Sequence, residues 1–456
     1  MDGIKGKLSH GQIRSSLARI TGENHLLPGD SQHCEYRINA SLRALPTSER
    51  QVVDILRFAD EHRLSVAPQG GGTKDAYGQS VKAVDLILSM KGMSGVLEHS
   101  AGDLMVTVLA GTTFRELQET LKPAGQFLPL DAAWDDQSTI GGIVNAGTSG
   151  PLRAGYGSVR DFLIASRIVY PNGEVIRTGA KVVKNVAGYD MNKLFIGSMG
   201  TLGLHTEFTF KIRPIPAGRS LLVIGNARVD TLRMLQNALL DSQLEPCVFE
   251  WLNPTAAQSL EVDTQGPVVL IGFADVWSSV DEQARQVGQL CRDLGAVILA
   301  ELRGAEESEA VLSKIRSILP NANLVEDSQT IVSMKLVGKL TDVQAIYEAA
   351  ETRAVQHGVS LRFSGGAYTG IARATVEGAG GEATNVHGRL TAWIRDMQSE
   401  MRQQGIRTVV DFAPGTIRRQ IAIWDEATAD QKIMRGIKRT IDPNETLNPG
   451  RIIGGL

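Results

Sequence analysis

Three consecutive glycines, Gly70-Gly71-Gly72, follow directly on a short apolar run, Leu64-Ser65-Val66-Ala67-Pro68. The full loop reads Pro68-Gln69-Gly70-Gly71-Gly72-Thr73-Lys74. Without Cβ atoms the backbone can turn sharply, and successive N–H groups can converge on one point as a concave anion site. The loop lacks the Gly-Lys-Ser/Thr order of a nucleoside-triphosphate P-loop. No Gly-x-Gly-x-x-Gly opens a helix here, so it is not a dinucleotide fingerprint either. Taken alone, the triplet reads first as an ordinary tight turn.

The rest of the chain bounds the reading. Its 456 residues are too many for one ordinary core and predict two or three units. A hydrophobic content of 42% with 21% charged residues is that of a soluble globular protein, which excludes a disordered or fibrous chain. The net charge of −3 gives no global attraction to nucleic acid or to an anionic membrane. No run is long and apolar enough to span a bilayer, and residues 1–29 lack a secretory h-region. Cys34, Cys247 and Cys291 are widely spaced, which argues for reduced thiols in a cytoplasmic protein and against a disulfide framework or an iron–sulfur or zinc site in this chain.

Glycine is the informative excess. The 48 glycines crowd into 70–72, 141–150, 155–157 and 197–203. The stretch Leu128-Pro129-Leu130-Asp131, with Ser138-Thr139-Ile140-Gly141-Gly142-Ile143-Val144-Asn145-Ala146-Gly147, offers hydroxyls and bare backbone suited to a flat polar ring system; a connection between domains would look the same. Three further segments pair permissive backbone with polar side chains: Gly155 to Asp161, Lys184 to Asp190, and Gly197 to Gly203.

Periodicity places these loops. Val52, Ile55, Leu56 and Ala59 predict a helix before the glycine loop, and Leu117 and Leu121 predict another over 113–122. Strands are expected at 84–88, 106–110 and 204–213, with a hairpin across Pro171-Asn172-Gly173. After Pro214 and Pro216 the pattern changes to strands alternating with amphipathic helices, at 221–224, 229–244, 268–273, 280–294, 332–336 and 343–356. That alternation predicts an α+β unit of ferredoxin-like type. A helix at 432–440 and a turn-rich tail, Asp442 to Arg451, close the chain, and another helix is expected at 10–20.

In order and spacing, the motifs from 68 to 214, with Asn448-Pro449-Gly450-Arg451, resemble the FAD-binding domain of the vanillyl-alcohol oxidase/p-cresol methylhydroxylase (VAO/PCMH) superfamily. The stretch from Gly150 to Asp161 and the Lys184–Asp190 heptapeptide look most like the E-type FAD-binding subunit of bacterial glycolate oxidase. The resemblance implies an α+β fold: a PCMH-type FAD-binding domain of two α+β subdomains, with a ferredoxin-like α+β cap. The implied organisation is an N-terminal segment 1–36, the FAD domain 37–217, the cap or substrate domain 218–410, and a segment 411–456 that returns to the FAD domain. It implies an FAD-dependent subunit that oxidises glycolate, lactate or a related small 2-hydroxyacid. Electrons would pass to a second flavin subunit and an iron–sulfur subunit, in the cytoplasm or at the inner membrane face. Two other readings stand beside it, a self-sufficient metal-independent flavin dehydrogenase and a non-catalytic scaffold stabilised by FAD.

Carried over residue by residue, the resemblance assigns the pyrophosphate to Gln69, Gly70, Gly71, Gly72, Thr73 and Lys74. The ring and ribityl chain fall to Pro129, Asp131, Thr139, Gly141, Gly142 and Ala146. Ser158 and Asp161 are expected beside the flavin, and Gly200, Thr201 and Leu202 towards the adenosine. Residues 68–78 contain no histidine or cysteine, so the FAD is expected to be non-covalent. Relatives that oxidise 2-hydroxyacids alone carry His-x-Gly-Asp-Gly-Asn-x-His in the cap; the segment Arg362 to Gly370 has glycines but no histidine, and no metal is expected. Candidates for the catalytic and carboxylate-binding groups are Arg362, Tyr368 and His387, with Arg373 and Arg418 as further cations and Tyr156, Tyr189 and Lys184 as possible flavin contacts.

Overall fold

The computed structural model describes residues 8–29, 34–79, 83–181, 189–225, 228–326, 328–378, 383–424 and 430–452. Lys184 to Gly188 of the expected heptapeptide lie outside the described residues.

The first sheet takes β1 (Leu26–Pro28), β2 (Ala40–Ala44), β3 (Val66–Gln69) and β4 (Val84–Ser89) in the order β1-β2-β4-β3. Both β2 and β3 run parallel to β4. Parallel strands need a crossover, and the helix Glu49–Glu61 supplies the one that leads from β2 to β3. Ser48 caps that helix, its hydroxyl accepting the N–H of Gln51, and Val52, Ile55, Leu56 and Ala59 form its buried stripe, as the periodicity predicts. Burying the three larger side chains contributes roughly 5–9 kcal/mol before chain entropy is subtracted.

The next strands are β5 (Val96–Ser100), β6 (Met105–Leu109), β7 (Gln126–Phe127), β8 (Leu163–Val169), β9 (Val175–Gly179), β10 (Leu204–Lys211) and β11 (Arg213–Pro214). Five of them form an antiparallel sheet, β5-β6-β10-β8-β9, while β7 and β11 pair as a short ribbon. The β8–β9 hairpin turns at Gly173, where φ is +82°. The first sheet, the second sheet and the helix Glu49–Glu61 share one core, in which Val66, Leu88, Val108, Phe208 and Phe210 meet Val52 and Ile55.

The third sheet has eight strands: β12 (Gly218–Gly225), β13 (Val248–Leu252), β14 (Val268–Asp275), β15 (Val297–Arg303), β16 (Ile331–Val337), β17 (Val359–Gly366), β18 (Ile371–Gly378) and β19 (Arg407–Phe412). Their order is β15-β12-β14-β13-β17-β18-β16-β19, and every pair is antiparallel. Read in chain order, each half is a β-α-β-β-α-β unit with the strand order of a ferredoxin-like fold. The sheet is thus two such units in tandem, joined edge to edge where Glu250, Trp251 and Leu252 of β13 face Gly366, Gly365 and Ser364 of β17. The strand–helix alternation after Pro216 predicts a ferredoxin-like unit and does not anticipate its doubling. The second hairpin, β17–β18, and the helix Ala383–Gln403 also lie beyond the elements that periodicity predicts.

Alternation divides this sheet into an oily face and a polar one. Val332, Met334, Leu336, Phe363, Ala374 and Val376 pack with Trp251 against the helices. The residues between them, Ser333, Lys335, Ser364, Arg373 and Glu250, therefore face the other way, towards the first two sheets.

Candidate functional site

The glycine loop leaves the end of β3 and lies against the segment before a short helix, Ile140–Ala146. A Cβ on Gly70 would meet Thr139 Oγ1 at 2.0 Å, and one on Gly71 would meet the Gln137 carbonyl oxygen at 1.8 Å. Only glycine fits at either position. Thr139 Oγ1 accepts the N–H of Gly142 at 3.2 Å, so the residue that excludes a side chain at 70 also fixes the next segment. Asn323, from the stretch between β15 and β16, holds the loop from the other side, its Nδ2 donating to the Gly71 carbonyl at 2.9 Å.

Among the described residues, none of the five consecutive backbone N–H groups from Gly70 to Lys74 donates a hydrogen bond. Backbone N–H groups within a fold are ordinarily paired, so a run of five on a cleft, Thr73 buried and the other four half-buried, marks a place suited to acceptor oxygens. The cleft is lined by Gln69 to Asp75, Met90, Ala110, Ser138, Thr139, Gly141, Gly142, Asn145, Ala146, Met199, Gly200, His205, Asn448 and Arg451.

The C-terminal tail completes it. The Val66 N–H donates to the Thr446 carbonyl at 2.7 Å, and the Asn448 N–H donates to the Val66 carbonyl at 2.8 Å. The Arg451 guanidinium donates to the Lys74 carbonyl at 2.9 Å, and Asn448 Nδ2 to that of Met199 at 2.7 Å. Lys438, buried, donates to the carbonyls of Thr201 at 2.8 Å and Leu447 at 2.9 Å and at the same time pairs with Asp442.

His205 lies beside the cleft with 1% of its surface exposed. Asn145 Nδ2 donates to the Gly141 carbonyl at 2.7 Å, which leaves Asn145 Oδ1 as the acceptor facing His205 Nδ1 at 3.1 Å. Nδ1 therefore carries the hydrogen, and Nε2 is a buried lone pair without a partner. Burial holds the ring neutral, its pKa pushed down to about 3.

A second space lies between the first two sheets and the polar face of the third. Asp131, Arg153, Glu250, Arg316, Ser364 and Arg373 line it. Asp131 Oδ1 pairs with Arg316 Nε at 3.0 Å, and its Oδ2 accepts the Leu152 N–H at 2.8 Å. Burial pushes the Asp131 carboxyl up, and Arg316 acts against that. Arg373 pairs with Asp411 at 2.9 Å. Burial lowers the pKa of both Lys74, to about 8, and Lys335, with Arg373 adding to each shift. A third opening, lined by Tyr77, Ser158, Lys335 and Trp424, shares Ala146 with the cleft and Arg153 with the chamber, so the three spaces adjoin.

The structure brings Gln69, Gly70, Gly71, Gly72, Thr73, Lys74, Thr139, Gly141, Gly142, Ala146 and Gly200 into the cleft. Asp131 lines the chamber and Ser158 the third opening. Asp161 is in a capping box, its Oδ2 accepting the N–H of Ser158 at 2.7 Å and the Ser158 hydroxyl at 3.0 Å. Pro129 is buried, Thr201 Oγ1 donates to the Ser198 carbonyl at 2.7 Å, and Leu202 packs with Ile168 and Phe195; none of the three lines the cleft. Arg362, Tyr368 and His387 line none of the three spaces. Arg362 pairs with Glu377, and the Tyr368 hydroxyl donates to the Leu239 carbonyl at 2.8 Å. Arg418 is buried against the carbonyl of Glu35. Tyr156 packs edge-on against Phe127, and Tyr189 is 94% exposed. Glu250, Lys335 and Arg316 were not among the expected residues; the alternation Val332-Ser333-Met334-Lys335-Leu336 is the signal that marks Lys335.

Comparison with known proteins bears on the cleft. The family model of the FAD binding domain matches residues 40–179, and that of the C-terminal domain of FAD linked oxidases matches residues 415–452. Glycolate oxidase subunit GlcD of Bacillus subtilis is 26% identical over 96% of this chain and 96% of its own length. The mitochondrial D-lactate dehydrogenase [cytochrome] of Arabidopsis thaliana is 26% identical over 94% of this chain and 76% of its own length. Glycolate oxidase subunit GlcE of Escherichia coli is 34% identical, but over 39% of this chain and 49% of its own length. Among solved structures, p-cresol methylhydroxylase with substrate bound superposes with a TM-score of 0.77 at 16% identity, covering 97% of this chain and 96% of that one.

Proposed function

We propose that this chain, an FAD-linked oxidoreductase with the fold of the VAO/PCMH superfamily, oxidises a small 2-hydroxyacid such as glycolate or lactate and hands the electrons to partner subunits. The observation that carries the reading is the run of five unbonded N–H groups from Gly70 to Lys74 on the cleft. The residues fit a diphosphate-containing cofactor. The positions where a Cβ would stand on Gly70 and Gly71 are already filled by protein atoms, and the donors are fixed before any ligand arrives. His205 Nε2 and Asn448 Oδ1, buried and unpartnered, are acceptors for the hydroxyl or amino groups of such a molecule.

In this reading Gly70 to Lys74 hold the pyrophosphate, without a covalent tether. Thr139, Gly141, Gly142 and Ala146 pack along the ribityl chain and ring. Asp131 acts through Arg316, keeping a cation fixed at the chamber wall. Bound FAD would take up the two electrons of the oxidation. The chain's own residues would bind and orient the substrate: Arg373, Lys335 and Arg153 present positive charge to a carboxylate. The hydroxyacid assignment is supported by the names of the relatives, glycolate oxidase and D-lactate dehydrogenase. The partners, a second flavin subunit and an iron–sulfur subunit, are inferred from the likeness to two glycolate oxidase subunits. Attachment at the inner membrane face would come through them, since no helix among the described residues is long and apolar enough to cross a membrane.

The test is the visible spectrum of the purified protein with a panel of hydroxyacids, partners present and absent. Bleaching of the flavin only with partners present supports the proposal. Bleaching without them points to a self-sufficient dehydrogenase. Bound FAD that no hydroxyacid reduces, with partners present, points to a scaffold. A colourless protein that cannot be reconstituted with FAD sinks both enzymatic readings.

A further inference from the structure

Glu250 places a carboxyl in the middle of a sheet, at the seam between the two halves of the cap. It is 5% exposed and faces away from Phe249 and Trp251, into the chamber. Its Oε2 accepts the Ser364 hydroxyl at 2.7 Å, and among the described residues that is its one hydrogen bond. Oε1 has none, and the backbone of Gly366 opposite gives it room: a Cβ there would stand 3.0 Å away. The charges around it come from every wall. Asp131, tied to Arg316, lines the same chamber from the segment after β7, and Arg373, tied to Asp411, lines it from β18. Arg153 lines the same chamber, and Lys74 and Lys335 stand near Arg373.

We propose that Glu250 sets the pH dependence of ligand binding in the chamber, donating a hydrogen bond to a small carboxylate when neutral and repelling it when ionised. This rests on the reading of the chamber as the substrate side of the site. A neutral carboxyl has an O–H to offer, and a bond from it to a carboxylate is charge-assisted. Its ionised form would set two negative charges in contact inside a buried space. Burial, with Asp131 adding to it, pushes Glu250 up to about 8, against the pull of Ser364 and Arg373. Below that value the chamber holds an uncharged acid among cations, and above it the acid cancels one of them.

Oxalate tests this on the full chain, because it is fully ionised throughout the window and is not itself a 2-hydroxyacid. Equilibrium dialysis of labelled oxalate would show wild-type affinity falling ~tenfold between about pH 7 and about pH 9. Lys74 loses charge in the same window, so the comparison with Glu250→Gln is decisive. Glutamine keeps a donor and cannot ionise, and the fall should shrink by ~threefold or more. Wild-type protein that does not bind oxalate, or a Glu250→Gln profile that stays closer to wild type than this, overturns the proposal. Should Glu250→Gln not fold, Ser364→Ala decides. Removing the bond that lowers Glu250 must move the break to higher pH, and an unmoved break overturns the idea. Flavin absorbance of the same samples is read separately: a protein without FAD sinks the cofactor reading, and the oxalate profile still decides on Glu250.

Discussion

A single methyl group is enough to disable the glycine loop. At Gly71 it would sit 1.8 Å from the Gln137 carbonyl oxygen, which belongs to the backbone and cannot swing aside. Gly71→Ala should therefore lower the FAD-to-protein ratio of the purified chain severalfold, and an unchanged ratio would refute the loop's assignment. His205 makes a prediction about acid. An unfolded histidine titrates near 6.5, whereas this one is pushed down to about 3, so the unfolded chain takes up the proton first as pH falls. The stability it contributes is whole above the unfolded value and drains away towards the folded one. Between about pH 6.5 and about pH 5 the loss is ~2 kcal/mol, and His205→Leu should flatten that limb in thermal melts. Equal slopes in the two proteins would contradict the assignment. The glycine loop and the Thr139 segment could be read only together, because each alone fits an ordinary turn or connection and their order along the chain is what points to one site. Glu250 could not, since a carboxyl between Phe249 and Trp251 reads as an ordinary alternating strand until its neighbour across the seam is known.

At the scale of elements, a buried ion pair ties the third sheet's helical layer to the segment that follows β7. Asp131 and Arg316 face each other across 185 residues of chain, with 3% and 10% of their side chains exposed. Removing one partner strands the other in a buried wall, so Asp131→Asn should cost about 3 kcal/mol or more in a denaturant titration. A loss within the scatter of surface substitutions would show that solvent reaches the pair. Helices and strands with clear stripes, such as Glu49–Glu61 and β16, were legible from spacing alone. The tandem repeat was not, because a ferredoxin-like unit constrains strand order and burial and leaves residue identity free. The two halves share a topology without sharing a motif. The short helix Ile140–Ala146 escaped for another reason, as its two glycines weaken helical propensity and Thr139 capping restores it.

For the whole molecule, the cleft is a meeting point of parts that are distant in sequence. Val66 bonds Thr446 and Asn448, Lys74 bonds Arg451, and Asn323 reaches Gly71. A ligand that joins them should stabilise the entire chain. FAD at ~100 times its dissociation constant should add about 2.7 kcal/mol to unfolding, visible as a higher thermal midpoint on reconstitution of stripped protein. No shift would mean that the cleft does not hold FAD. Lys438→Met offers a check without cofactor. It removes the buried ammonium that ties Thr201 to Leu447, and it should lower stability by roughly 3 kcal/mol or more.

Asn448 and Arg451 also set a timetable. Of all the residues that wall the cleft, they are the last to leave the ribosome, after both halves of the cap have been made. While translation continues, the lining from Gln69 to His205 has emerged but the wall from Asn448 and Arg451 has not. The wall that Asn448 and Arg451 supply is therefore the last part of the cleft to be put in place, and it closes over a loop whose sequence was complete some 370 residues earlier.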